Sequence, residues 1–153
     1  MIGARARLHL AAALMPAALA VPWALWMTGG PMGRTLRSAV LFAGPAILAA
    51  QLAAWLRWGA IERRARNGGD GWPAGLGMAA LTHGLFGLLL ALVMLAETRT
   101  DDWTDTLSDS AIIGSLFALA SLVIAGVPSF LLTAWLAQRL TVRRRKELNL
   151  ESA

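Results

Sequence analysis

Four long apolar stretches, separated by clusters of charge, leave this chain few ways to fold. They cover about residues 8–28, 36–58, 74–96 and 111–138. Each is on the order of 20 residues or more, enough to cross the ~30 Å hydrocarbon layer of a bilayer as α-helix. Charged side chains gather between them, and only Arg37 falls inside a block short of its last residues, one turn from an end where a long side chain snorkels to the interface. With 57% hydrophobic and 15% charged residues there is too little polar surface to coat a water-soluble globule. Polar and apolar residues do not alternate as a membrane β-barrel requires. The expectation is an all-α integral membrane protein: a single domain, 1–153, of four transmembrane helices in an antiparallel bundle, with a basic tail at 139–153.

The charges also orient it. Lys and Arg number two before the first block (Arg5, Arg7), two after it (Arg34, Arg37), four between the second and third (Arg57, Arg63, Arg64, Arg66), one in the last loop (Arg99) and five beyond the fourth (Arg139, Arg143, Arg144, Arg145, Lys146). Grouped by side, that is 2 + 4 + 5 = 11 against 2 + 1 = 3. Cytoplasmic segments retain Lys and Arg, so both termini and the middle loop are expected in the cytoplasm. The high isoelectric point then reflects topology, and the basic runs are expected to meet anionic lipid headgroups of the cytoplasmic face and not nucleic acid. Trp23, Trp26, Trp55, Trp58, Trp72 and Trp135 all fall near block ends, the headgroup level that indole prefers. Thirteen arginines to one lysine, with abundant alanine, is the habit of GC-rich bacterial genomes and points to a bacterial inner membrane. Arg5 and Arg7 followed by an apolar run and Ala18-Leu19-Ala20 also read as a cleavable signal, but the apolar character continues past Pro22, and a retained first span is expected.

Inside lipid, helices associate through small residues and interhelical hydrogen bonds. Ala13/Ala17, Ala39/Ala43, Ala46/Ala50/Ala54, Ala80/Gly84 and Gly114/Ala118 each offer a narrow face, and Gly84 and Gly87 leave room beside His83. Pro16, Pro22, Pro45 and Pro128 fall within spans and are read as kinks that tune packing, a discontinuous helix being the alternative.

Few hydrogen-bonding side chains lie deep. His83 is ~13 Å from the cytoplasmic side, Gln51 ~10 Å and Ser129 ~13 Å by helix rise. With Thr82 they form a candidate intramembrane cluster, since unpaired polar groups there are costly. The expected arrangement is a structural clasp in which His83 bonds Gln51 or a carbonyl freed by Pro16. A proton or substrate site at Gln51 and His83 is the functional alternative. No Asp or Glu lies in any span to relay protons. The two histidines are separated by ~12 Å of depth, which disfavours a shared haem iron. There is no cysteine, phosphate loop or zinc motif, so neither a metal or cofactor site nor an enzyme is expected.

The loop after the third block is acidic. Asp101, Asp102, Trp103 and Asp105 are a candidate outer surface for a protein partner, and Ser108 or Asp109 is the expected cap of the fourth helix. The function expected is non-enzymatic: a membrane subunit, regulator, assembly factor or immunity-type partner, working on another membrane protein or on a second copy. A homo-oligomeric transporter or channel for a small solute or protons is the alternative.

Overall fold

A computed structural model describes the backbone of residues 3–28, 32–97 and 103–151, and the side chains of 3–18, 40–96 and 104–149. The chain forms an all-helical bundle of four α-helices: α1 Ala4–Thr28, α2 Met32–Arg66, α3 Trp72–Glu97 and α4 Trp103–Glu151. Among the described residues, three of them hold a stretch long and apolar enough to cross a membrane, within Val40–Arg66 in α2, Trp72–Ala96 in α3 and Thr104–Asn149 in α4. The first expected span, 8–28, lies partly outside the described side chains.

Every helix outruns its apolar block. Hydropathy marks where hydrocarbon lies, whereas a helix continues into a polar medium wherever charges pair along it. Glu62 and Arg66 do so at 3.1 Å near the end of α2, and Arg143 and Glu147 at 3.3 Å near the end of α4. At the other end α4 begins at Trp103, eight residues before the expected 111, so Ser108 and Asp109 lie inside the helix and neither caps it. Both α2 and α4 pass unbroken through their prolines, Pro45 and Pro128.

The α2–α3 turn is built on glycine. Gly68 has φ +70°, the left-handed conformation that a residue without Cβ adopts at no steric cost. The Gly69 N–H then bonds back to the Arg64 carbonyl at 2.8 Å, closing α2 with a Schellman motif. Gly71 opens α3, accepting from Ala74 and Gly75 N–H at 3.0 and 3.1 Å. Pro73 follows in the first turn, where its missing N–H costs nothing.

α1 packs chiefly on α2, and α3 on α4, with α2 bridging the two hairpins. All four meet in one core at the arginine-rich end: Ala4 and Leu8, Ala53, Ala54 and Ile61, Ala74 and Met78, Ala137 and Leu140. Small side chains let the backbones approach, which replaces the missing hydrophobic drive between helices in lipid. The α3–α4 seam is closer still. A Cβ on Gly75 would stand 2.5 Å from the Ala134 Cα, and one on Gly87 would stand 2.6 Å from the Gly114 carbonyl oxygen. The seam includes the expected Gly114/Ala118 face. Ala80 and Gly84 point outward instead, with nothing within 4 Å of a Cβ built on Gly84. The outward side of α4 is apolar, with Val123 81% and Val127 73% exposed, as lipid-facing positions are.

Candidate functional site

A cavity of about 610 Å³ opens between the two hairpins, lined from all four helices. Leu8, Met15 and Pro16 come from α1, Phe42 and Ala46 from α2, Phe86 from α3 and Phe117 from α4, so most of the wall is hydrocarbon or aromatic ring. Phe42 and Phe117 meet across it at 5.6 Å between ring centroids. Its polar side is carried by α3 and α4, through Thr82, His83, Ser121, Ser129 and Thr133.

His83 is 9% exposed and bridges two turns of α4. Its Nε2 lies 2.8 Å from Ser129 Oγ and its Nδ1 3.0 Å from Ser121 Oγ, while the ring stacks at 6.1 Å and 10° on Phe130. Both hydroxyls also reach a carbonyl one turn back, Ser121 to Ala118 at 2.8 Å and Ser129 to Gly126 at 2.9 Å. A ring carrying one N–H therefore donates to one serine and accepts from the other, whose hydroxyl turns from its own carbonyl to the ring. Every nitrogen is satisfied without a charge on the wall.

Of the four expected cluster members, the structure joins His83 and Ser129 by a hydrogen bond, keeps Thr82 on the same cavity wall but bonded within its own helix, and turns Gln51 to α1, within the other hairpin. Thr82 donates to the Met78 carbonyl of its own helix at 2.9 Å. Gln51 faces α1: its Oε1 lies 2.8 Å from His9 Nδ1, and its Nε2 donates to the His9 carbonyl at 2.8 Å. The clasp expected between His83 and Gln51 is thus two clasps, one inside each hairpin. Depth placed these residues at compatible levels, but rotation about the helix axis decides partners. Ser121 was missed altogether. The legible sign was its spacing, eight residues before Ser129, which puts both hydroxyls on neighbouring parts of one helical face.

The arginine-rich end forms a second polar layer. Glu147 accepts from the Ala4 N–H at 3.1 Å, placing a carboxylate at the N-terminus of α1, where orphan N–H groups and the helix dipole favour an anion. The same carboxylate pairs with Arg143 and Arg144 at 3.3 and 3.4 Å, and Arg144 reaches Glu62 of α2 at 3.3 Å. Gln138 accepts from the Gly71 N–H and donates to Asp70 at 3.2 Å, pinning the start of α3 to α4. Glu62 lies past the apolar block of α2. The hydrogen bond from Arg66 holds its carboxyl below the usual carboxylate value, Arg144 adds to this, and partial burial opposes both.

At the opposite end, Asp101 and Asp102 lie outside the described residues, as does the side chain of Trp103. Asp105 is exposed in the first turn of α4, where a negative charge suits the helix dipole. Among the described residues no three His, Asp or Glu side chains converge as metal ligands would.

Comparison with known protein families, with curated proteins and with solved structures finds no match to this chain.

Proposed function

We propose that this chain is a four-span protein of a bacterial inner membrane, with both termini and the α2–α3 turn in the cytoplasm, that works through contacts and not through catalysis. It acts as a subunit, regulator, assembly factor or immunity-type partner of another membrane protein. The observation that carries this reading is how the polar groups between helices are used. His9 with Gln51, and His83 with Ser121 and Ser129, each join two helices of one hairpin. Buried polar groups that satisfy one another fix register and rotation, and so present a defined outer surface. The eleven-to-three distribution of Lys and Arg supports the orientation, and the basic end is read as meeting anionic headgroups.

Reporter fusions after residues 30, 68, 104 and 150 should alternate outside, inside, outside, inside. The contact role is tested by affinity capture from detergent-solubilised membranes. A stoichiometric membrane partner should copurify and be lost when Asp101, Asp102 and Asp105 are changed to Asn. Retention of that partner in the triple variant would remove the outer loop from the reading.

The cavity favours one second reading, the binding of a lipid-soluble molecule inside the bundle. Its volume falls in the ordinary range for small-molecule sites, and its wall suits an apolar body with a single hydrogen-bonding group beside His83. A hydrophilic solute or an ion finds little to replace its hydration there. Proton or solute flux in liposomes that disappears in His83→Ala would favour a transporter over both readings.

A further inference from the structure

Arg57 stands apart from the other cations of the basic end. Arg66, Arg143 and Arg144 share the carboxylates of Glu62 and Glu147. Arg64 and Arg145 donate to the carbonyls of Asp70 and Gly69 at 3.0 Å each. Arg139 lies over the Trp135 ring at 5.1 Å. Arg57 is partly buried in the last turn of the apolar block of α2, and no carboxylate pairs with it among the described residues. Its Nε is shielded from solvent and has no hydrogen-bond partner, like the Nε atoms of Arg144 and Arg145, whose terminal nitrogens are bonded to Glu62, Glu147 and the Gly69 carbonyl. The guanidinium lies directly on Gly77 of α3, so close that any Cβ at that position would collide with it.

A guanidinium partly withdrawn from water without a counter-charge carries a cost, and the cost falls when an anion is supplied from outside. Position identifies the anion. Trp55 and Trp72, 60% and 43% exposed, mark the headgroup level on α2 and α3, and Leu56 and Leu76, chain neighbours of Arg57 and Gly77, are exposed apolar surface. A molecule meeting Arg57 there has a phosphate at interface depth and acyl chains along leucines. The net charge selects further: this end holds eleven Lys and Arg against Glu62, Asp70, Glu147 and Glu151, so an anionic lipid is favoured over a zwitterionic one.

We propose that Arg57, seated on Gly77, binds the phosphate of an anionic membrane phospholipid at the α2–α3 face. The glycine gives the guanidinium its seat, and the fork of N–H donors matches phosphate oxygens in pairs. This rests on the reading that the basic end lies at the membrane surface.

The test is native mass spectrometry of the purified chain in non-ionic detergent, titrated with phosphatidylglycerol or phosphatidylcholine. The wild type should retain one phosphatidylglycerol in preference to phosphatidylcholine, and inorganic phosphate should not displace it. R57Q should weaken retention about fivefold or more, on the scale of one basic residue lost at a charged membrane surface. G77A should do the same without a folding cost, because its methyl group meets only the movable end of Arg57. R63Q, which removes an exposed arginine, should change retention far less. Phosphatidylglycerol bound equally by wild type, R57Q and G77A would overturn the assignment while leaving the membrane reading intact. Displacement by inorganic phosphate would identify a soluble anion site and overturn the lipid. A wild type that retains no phospholipid of either kind would overturn the surface reading along with the site.

Discussion

The α1–α2 and α3–α4 hairpins each carry one histidine and use it differently. In α1–α2, His9 and Gln51 make a closed exchange, ring to amide and amide to backbone, at 2.8 Å for both bonds. In α3–α4, His83 spans two serines eight residues apart and faces the cavity with Phe130 stacked on its ring. The backbones differ too. α3 and α4 touch through Gly75, Gly87 and Gly114, whereas the buried contacts of α2 with its neighbours are made by alanines such as Ala49, Ala53 and Ala54. One hairpin is thus set by backbone contact with a histidine fixing its register, and the other, among the described residues, by alanine contacts and the His9–Gln51 exchange. Contact distance, more than hydrogen bonding, should decide which is harder to open.

The largest test of that contrast is a pair of glycines on one helix. Gly75→Ala drives a methyl group into the backbone of Thr133 and Ala134, so α3 must shift. The expected loss is about 1–3 kcal/mol, the usual cost of overpacking, read as a lower thermal midpoint in detergent. Gly84→Ala meets open space and should be neutral or stabilising by up to ~1 kcal/mol through helix propensity. Equal effects at the two positions would show that the seam is not where the backbones meet.

His83→Leu is the next step down. It removes two interhelical hydrogen bonds, each worth about 0.6–2 kcal/mol inside a membrane, while leaving the glycine seam in place. A cycle with Ser129→Ala isolates the pair: the double variant should lose less than the sum of the single losses. Additive losses would mean that ring and hydroxyl do not hold each other. Gln51→Leu should cost less than His83→Leu, because His9 sits near the basic end and finds water or headgroups as substitute partners. A Gln51→Leu loss exceeding that of His83→Leu would reverse the ranking of the two clasps.

The residues in these tests also show what was readable beforehand. Four helices followed from the apolar blocks because the hydrocarbon admits few other backbones. Their ends did not, since Arg143 with Glu147 and Glu62 with Arg66 extend helices beyond anything hydropathy weighs. His83 and Ser129 could be placed at one depth from residue counting. That Gln51 would turn to His9 could not, because a helix rotates by 100° per residue and an alanine-rich surface offers several equivalent faces. Ala80 with Gly84 reads as a packing face and Gly75 does not stand out, for the same reason: both glycines interrupt a helix in like fashion, and only the partner's position distinguishes a seam from a lipid face. In the sequence Arg57 is one more interfacial arginine, and only its place on Gly77 sets it apart.

The smallest expected effect concerns what ties the hairpins to one another. Glu62 on α2 accepts from Arg144 on α4 as well as from Arg66, and the Arg66 hydrogen bond above all holds its folded-state value below the 4.5 of a free side chain. A carboxylate so shifted stabilises the fold at pH above 4.5, and its contribution disappears as pH falls through the lower folded-state value. Glu62 is 28% exposed, so water and salt screen the pairs and the contribution is at most ~1 kcal/mol. In detergent at low ionic strength, wild type should lose thermal stability as the solution is acidified below that range, and Glu62→Gln should start lower and decline less. Added salt should narrow the difference, which it would not do for the His83 or Gly75 variants, since neither depends on a screened charge. Parallel acid profiles for wild type and Glu62→Gln would show that the Glu62 pairs do not hold the two hairpins together, leaving that role to the core at the basic end and to the Glu147 contact with α1.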